Sequence, residues 1–336
     1  ADFSFVNFEC PIIEEGYQPI PKCGPNLSCM PEAAEAIRYA GFTSVTMANN
    51  HILDFGDKGL YKTVECCKNN GLNIVGAGNN LEDAANVLYL EKDGKRLAVI
   101  NCCEHEFSIA TDTAAGANPI RQFYAIQEAK EKADYVLVIV HGGHEHYQLP
   151  SPRMQETYRF FIDAGADAVI NHHQHCYSGY EVYHHKPIFY GLGNFCFDEN
   201  GQRECFWNEG YMVKLEFAND NIDYELIPYT QCNETATVDL VQDKTIFSKD
   251  IAKLNETISN PLLLREASER YYESTIGLYN SLIQPYNNRV LNKLFSMKFL
   301  PSLFSNDKKI KLLNNINCES HLDRFIFALK KLALKN

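Results

Sequence analysis

Three imidazoles stand within four positions at Asn171-His172-His173-Gln174-His175, where the apolar run from Ala166 to Ile170 stops. Packing does not account for such a cluster, because histidine is only intermediate in burial and each ring nitrogen needs a polar partner. Three more strand-like runs end in comparable groups: Asn7-Phe8-Glu9, Ala48-Asn49-Asn50-His51 and His141-Gly142-Gly143-His144-Glu145-His146. Ten of the eleven histidines lie between positions 51 and 185. Carboxylate, amide oxygen and imidazole form a hard-to-borderline donor set that suits Zn, Mn or Fe. Two such divalent ions a few ångströms apart suit hydrolysis, because together they clamp a phosphoryl oxygen. On a continuing strand, His173 and His175 would point to the same side.

Some of these residues have a plainer reading. Asn50 can cap the turn after its strand, and His51 can be a hydrogen-bonded loop histidine. His141 ends the most apolar strand expected here, which leaves less room for a plain reading. His144, His146 and His172 suit groups that orient ligands or touch substrate. Asp54 and Asp198 read as supporting or turn residues. His105, between Glu104 and Glu106, and the pair His184-His185 read as exposed loop or edge positions.

The elements that must position these groups follow from periodicity. The first 200 residues alternate strand and helix signals, the pattern of an α/β fold whose sheets carry helices on their faces. Strands are expected at 3–6, 43–47, 72–75, 135–140 and 168–170. Helices are expected from Pro31, over 58–70, 122–133 and 153–164, the first two closed by Gly41 and Gly71. Asp93-Gly94 between two apolar runs signals a hairpin. Strands near 179–184, 187–191, 210–217 and 222–229 come next, and helical periodicity takes over from about 242. The expected division is a body over 1–240 and a helical, basic extension over 241–336. In open α/β sheets ligands gather beyond the carboxyl ends of strands, so one shared site for all four clusters is the natural geometry.

Composition narrows the function classes. Residues 1–240 carry a net charge of −18 and residues 241–336 a net +6, together −12. An acidic body suits divalent cations and argues against nucleic acid, while the basic extension suits anionic lipid or polymer, or a solvated helix surface. No apolar run is long enough to span a membrane. The twelve cysteines include the adjacent pairs Cys66-Cys67 and Cys102-Cys103, which do not form a secreted disulfide framework. Cys23 and Cys29, six apart in a Pro/Gly-rich loop, lack zinc-knuckle spacing. Reduced thiols and a cytoplasmic location are the expectation.

Taken together the motifs resemble a known family. Ala1-Asp2-Phe3-Ser4-Phe5-Val6-Asn7-Phe8-Glu9-Cys10-Pro11, then Ala48-Asn49-Asn50-His51 with Asp54 and Gly56 shortly after, are similar to segments of the CapA-type capsule and poly-γ-glutamate synthesis proteins. His141-Gly142-Gly143-His144-Glu145 resembles that family's His-Trp-Gly-x-Glu. His172-His173-Gln174-His175 resembles its His-His-Pro-His, and Tyr190-Gly191-Leu192-Gly193-Asn194-Phe195 its Ser-Leu-Gly-Asn-Phe. Five motifs agree in order over positions 1–230, and any one alone would be weak.

The resemblance implies a calcineurin-like metallophosphoesterase fold, a sandwich of mixed sheets flanked by helices around a dinuclear site. It implies Glu9, Asn50, His141, His173 and His175 as ligands of two divalent transition metals, with His51 as general acid. Asn7, Asn49, Asp54, His144, Glu145, His172 and Asn194 would support them or meet substrate. It also implies a strand ending in Gly-Asp ahead of Ala1, which the 1–240 body does not contain. Glycine in place of the family's tryptophan is expected to open space beside His141. The implied function is phosphoester hydrolysis in capsule, exopolysaccharide or poly-γ-glutamate biosynthesis. The substrate would be an anionic polymer or phosphoester, with polymer synthesis machinery as a partner. Amide hydrolysis or transfer on poly-γ-glutamate, and a non-catalytic scaffold of a polymer export complex, are the alternatives.

Overall fold

The computed structural model describes residues 1–317 and 329, apart from positions 23, 121–122, 200–201, 219–220, 283–285 and 287. Its first strands, β1 (Phe5–Asn7), β2 (Ser44–Thr46) and β3 (Asn73–Val75), form a small parallel sheet in that order. The crossovers carry α1 (Glu32–Tyr39) and α2 (Gly56–Asn69), as parallel pairing requires. Next come β4 (Ala77–Gly78), α3 (Leu81–Ala84), and the hairpin of β5 (Leu88–Lys92) and β6 (Lys95–Cys103). The hairpin turns at Asp93-Gly94 with φ of 51° and 76°, the backbone that a tight primed turn demands.

The larger sheet takes in β5, β6 and four strands from further along the chain. After β7 (Gly116–Ala117), which pairs with β4, come α4 (Phe123–Lys132), β8 (Tyr135–His141), α5 (Pro152–Asp163), β9 (Ala168–His172), β10 (Tyr180–Tyr183) and β11 (Lys186–Phe189). Strand order is β10-β11-β9-β8-β6-β5, with β6, β8, β9 and β11 parallel and the outer strands antiparallel. Every residue of β8 is buried, which explains its unbroken β-branched character. Helix α5 begins where Ser151 Oγ accepts from Met154 N and Pro152 sets the first turn. An antiparallel meander of β12 (Glu209–Ala218), β13 (Asn221–Gln231) and β14 (Val238–Leu240) completes the sheets. The α/β architecture is the one the alternating pattern predicts, and mixed sheets flanked by helices are what the family resemblance implies.

The small sheet and the large one are joined beside the clusters by a buried side chain. Asn101, in β6, accepts from Ala48 N at 2.7 Å and donates to Ile139 O at 3.0 Å. Ala48 is the residue before Asn49-Asn50-His51, so the bond fixes that cluster against the large sheet. Gly76 makes room for it, since a Cβ there would lie 2.0 Å from Asn101 Oδ1.

The remaining helices are α6 (Thr245–Ser259), α7 (Pro261–Leu282), α8 (Arg289–Ser296) and α9 (Asn306–Asn317). None among the described residues is long and apolar enough to cross a membrane. The chain divides into two compact units, Ala1–Arg265 and Glu266–Asn336. The first unit thus extends past the expected cut near 240 and includes α6. Its Ile251 and Ile258 are buried, Asn255 Oδ1 accepts from Tyr180 N at 2.7 Å, and Gln155 Nε2 donates to Ile258 O at 2.9 Å. Ile258→Ala should therefore lower the unfolding free energy of the body by about 2–5 kcal/mol, read from denaturant midpoints. A loss below about 0.5 kcal/mol, the surface-substitution range, would show that α6 is dispensable.

Candidate metal centre

The carboxyl ends of β1, β2, β8 and β9 deliver the clusters to one place. Ligand-type atoms of Glu9, His141 and His173 all lie within 4.8 Å of one another. His141 Nε2 is 3.0 Å from Asn50 Oδ1, 3.0 Å from His173 Nδ1 and 3.7 Å from Glu9 Oε1. Glu9 Oε1 in turn stands 3.9 Å from His175 Nε2. The five expected ligands thus converge, from four strand ends spread over the small and the large sheet.

The electrostatics of the cluster fit a cation. Burial, reinforced by His173 and the other nearby imidazoles, pushes the His141 pKa well below its usual value, so the ring is neutral near pH 7. Neutral imidazole is the form that ligates metal. Glu9 Oε1 and His141 Nδ1 are buried without a hydrogen-bond partner. An unsatisfied buried carboxylate oxygen is strongly unfavourable, and a positive ion among these donors removes the penalty.

Neighbouring amides hold the donors in place without adding charge. Asn7 Nδ2 donates to Glu9 Oε2 at 3.1 Å. The fully buried Asn49 donates to Phe8 O at 2.9 Å and accepts from His51 N at 3.1 Å, tying the end of β1 to the loop after β2. Asn194 Oδ1 lies 2.9 Å from His175 Nδ1, and its Nδ2 donates to His175 O and Trp207 O, each at 3.2 Å. With Nδ1–H given to Asn194, His175 presents Nε2 toward Glu9.

Strand alternation does not present His173 and His175. Strand β9 ends at His172, and both later histidines have left-handed backbones, with φ of 102° and 56°. Such conformations cost about 1–3 kcal/mol each and persist where surrounding contacts over-determine them. Here the His175 ring stacks on Trp207 at 4.9 Å between centroids. His172 is half-buried at the strand end, with its pKa pushed down to about 4 by burial.

His51 stands beside Asn50 with its Nδ1 2.6 Å from Asp54 Oδ2. Asp54 is fully buried, and Lys22 Nζ lies 2.5 Å from its other oxygen. His144 is half-buried, its pKa lowered by burial against an opposing pull from Glu104, and Glu145 is exposed. The expected opening beside His141 is absent. A Cβ on Gly142 would lie 2.8 Å from Glu104 Cγ, so Glu104 fills that space. Its carboxylate accepts from Gly143 N at 3.1 Å and from Arg153 at 2.5 Å.

Sequence reasoning set Glu104 aside with its loop, and passed over Lys22 and Trp207. Only the tryptophan carried a signal, as the single one in the chain. The ten described cysteines are free thiols, while Cys23 and Cys318 lie outside the described residues.

Metal titration of the stripped protein should show tight binding of Mn, Zn or Fe, weakened by more than about 10²-fold in His173→Ala, beyond the loss typical of supporting residues. Equal affinity in the variant would remove His173 from the ligand set.

Comparison with known proteins places this geometry. Residues 1–199 match the family described as bacterial capsule synthesis protein PGA_cap. Capsule biosynthesis protein CapA of Bacillus anthracis is 36% identical over 214 residues, covering 60% of this chain and 52% of that protein. PGA biosynthesis protein CapA of Bacillus subtilis is 33% identical over 210 residues, covering 60% and 55%. The match thus spans about half the length of each relative. A solved structure described as a novel phosphatase, from Mycoplasma pneumoniae, is 17% identical, covers 73% of this chain and 86% of that one, and has a TM-score of 0.43, too low to bear on chemistry. More than half the chain matches the family pattern, and the donor cluster lies within the matched part: the chain belongs to the PGA_cap family of bacterial capsule synthesis proteins.

Proposed function

We propose that this chain is a metal-dependent phosphoester hydrolase acting in capsule, exopolysaccharide or poly-γ-glutamate biosynthesis. One observation carries the reading: a buried carboxylate oxygen without a hydrogen bond sits among an amide oxygen and three imidazoles, with an Asp-supported histidine next along the chain. The names of the two Bacillus relatives supply the biological setting.

In this reading Asn50, His141 and His173 hold one divalent ion. Glu9 and His175 would hold a second. Bound Mn, Zn or Fe supplies Lewis acidity toward a phosphoryl oxygen and toward water. The chain's own groups do the rest. Asn7 and Asn49 aim Glu9 and fix the loop after β2, and Asn194 and Trp207 hold His175. His51, oriented through Nδ1 by Asp54, gives a proton from Nε2 to the departing oxygen. The substrate is an anionic phosphoester, matched to a cationic site in an otherwise acidic body. The abundance of free thiols fits a reducing compartment.

Phosphate monoesters and diesters should turn over in the metal-loaded protein, and His51→Ala should lower that turnover by about 10²–10⁴-fold while metal content stays intact. Loss of metal equal to that in His173→Ala would make His51 a ligand instead. Release of glutamate oligomers without phosphoester turnover would move the activity to the amide bond.

A further inference from the structure

Lys22 lies in a Pro/Gly-rich surface loop, yet its side chain is only 2% accessible. Lysine is rarely buried so completely unless paired. Its Nζ is 2.5 Å from Asp54 Oδ1, 3.0 Å from His51 Nδ1 and 5.6 Å from the centre of the Phe107 ring. Asp54 is itself fully buried, and its Oδ2 lies 2.6 Å from both His51 Nδ1 and Leu27 N. The loop is also fastened by Ile20 N, which donates to Asp54 O at 2.8 Å.

The protons in this group can be assigned from its distances. A carboxylate oxygen and a bare ring nitrogen at 2.6 Å would repel, so His51 Nδ1 carries a hydrogen and donates it to Asp54. That hydrogen is used, and Lys22 has no lone pair to accept one. The ammonium therefore serves Asp54 Oδ1 as an ion-pair partner at 2.5 Å, and its approach to the ring follows from sharing the same carboxylate. A buried ion pair is weak support for stability, since apolar groups of similar volume often serve as well. Its location is the informative feature, because it fixes the ring beside a proposed metal ligand.

We propose that Lys22 is a positioning residue for His51. It neutralises Asp54 and fixes its carboxylate, so that Oδ2 keeps the hydrogen on Nδ1 and leaves Nε2 as the only ring position that gives or takes a proton. The inference rests on the reading of His51 as general acid, and it narrows the substrate class. Such support matters where the departing oxygen is a poor leaving group, as in phosphoesters of ordinary alcohols. An activated aryl ester departs without a proton.

The test uses the full chain, loaded with Mn, and two monoesters, n-butyl phosphate and p-nitrophenyl phosphate. Lys22→Met should lower turnover of the butyl ester at least about tenfold, a fraction of a full general-acid contribution, and that of the aryl ester less than about threefold. Metal content should not change. Because Lys22 acts through Asp54, Lys22→Met should add nothing further in an Asp54→Asn background. Lys22→Arg, which keeps the charge, should restore part of the butyl-ester turnover. Equal losses on both esters, or additive effects with Asp54→Asn, would overturn the proposal.

A second measurement needs neither activity nor a variant. Nitrogen-15 NMR of histidine-labelled, metal-free protein should show His51 as the Nδ1–H tautomer when neutral. An Nε2–H tautomer would mean that Lys22 serves the ring instead of Asp54, and would overturn the assignment even if Lys22→Met failed to fold. If the unaltered protein turned over neither ester, the hydrolase reading would fall, and the tautomer would still decide whether Lys22 serves Asp54.

Discussion

A carboxylate oxygen of Glu9 is buried without a hydrogen-bond donor, 3.7 Å from an imidazole that burial holds neutral. Protein interiors rarely leave such an atom unpaired, because a buried polar group without a partner loses its hydration and gains nothing in return. A protonated His141 would answer it, but its burial and the imidazoles around it oppose its charging. A metal cation answers it, and the surrounding structure follows from that need. The donors come from four strand ends because no single element carries an amide oxygen, a carboxylate and three imidazoles at usable spacing.

The scaffolding around them is mostly asparagine. Asn7, Asn49, Asn101 and Asn194 each supply both a donor and an acceptor, so they fix backbone and rings without a second buried charge. Asn171 does the same behind the cluster, donating to Gly142 O at 2.8 Å and Tyr190 O at 2.9 Å while accepting from Tyr158 at 2.6 Å. These bonds hold the end of β9 to the residue that follows His141, beside the ligands. The exception in this pattern is Lys22 with Asp54, a buried ion pair directed at the ring of His51, the proposed proton donor.

Much of this was legible in the sequence because it is local. Strands with one periodicity, helices with caps, and the Asp93-Gly94 turn are written in short windows. The histidine clusters stand out because polar residues at the ends of apolar runs need a reason. The rest depends on contacts between distant positions. Lys22 meets Asp54 across 31 intervening residues that include α1 and β2, and its neighbours give no sign of burial. Glu104 takes the space beside Gly142 from the segment after β6. The helix at Thr245–Ser259 shows an amphipathic face, but periodicity does not name the surface it covers, so the body's extension to Arg265 was not visible. The left-handed backbones of His173 and His175 were hidden for a different reason, since positive φ is uncommon for any residue but glycine and is imposed here by surrounding contacts.

Anomalous X-ray diffraction from crystals grown with saturating Mn or Zn tests the metal centre most directly. Anomalous density is expected within the space enclosed by Glu9, Asn50, His141, His173 and His175, with His51 near it but not bonded to it. Saturated crystals with no density there, and Glu9 Oε1 satisfied by a protein or water donor instead, would contradict the metal assignment.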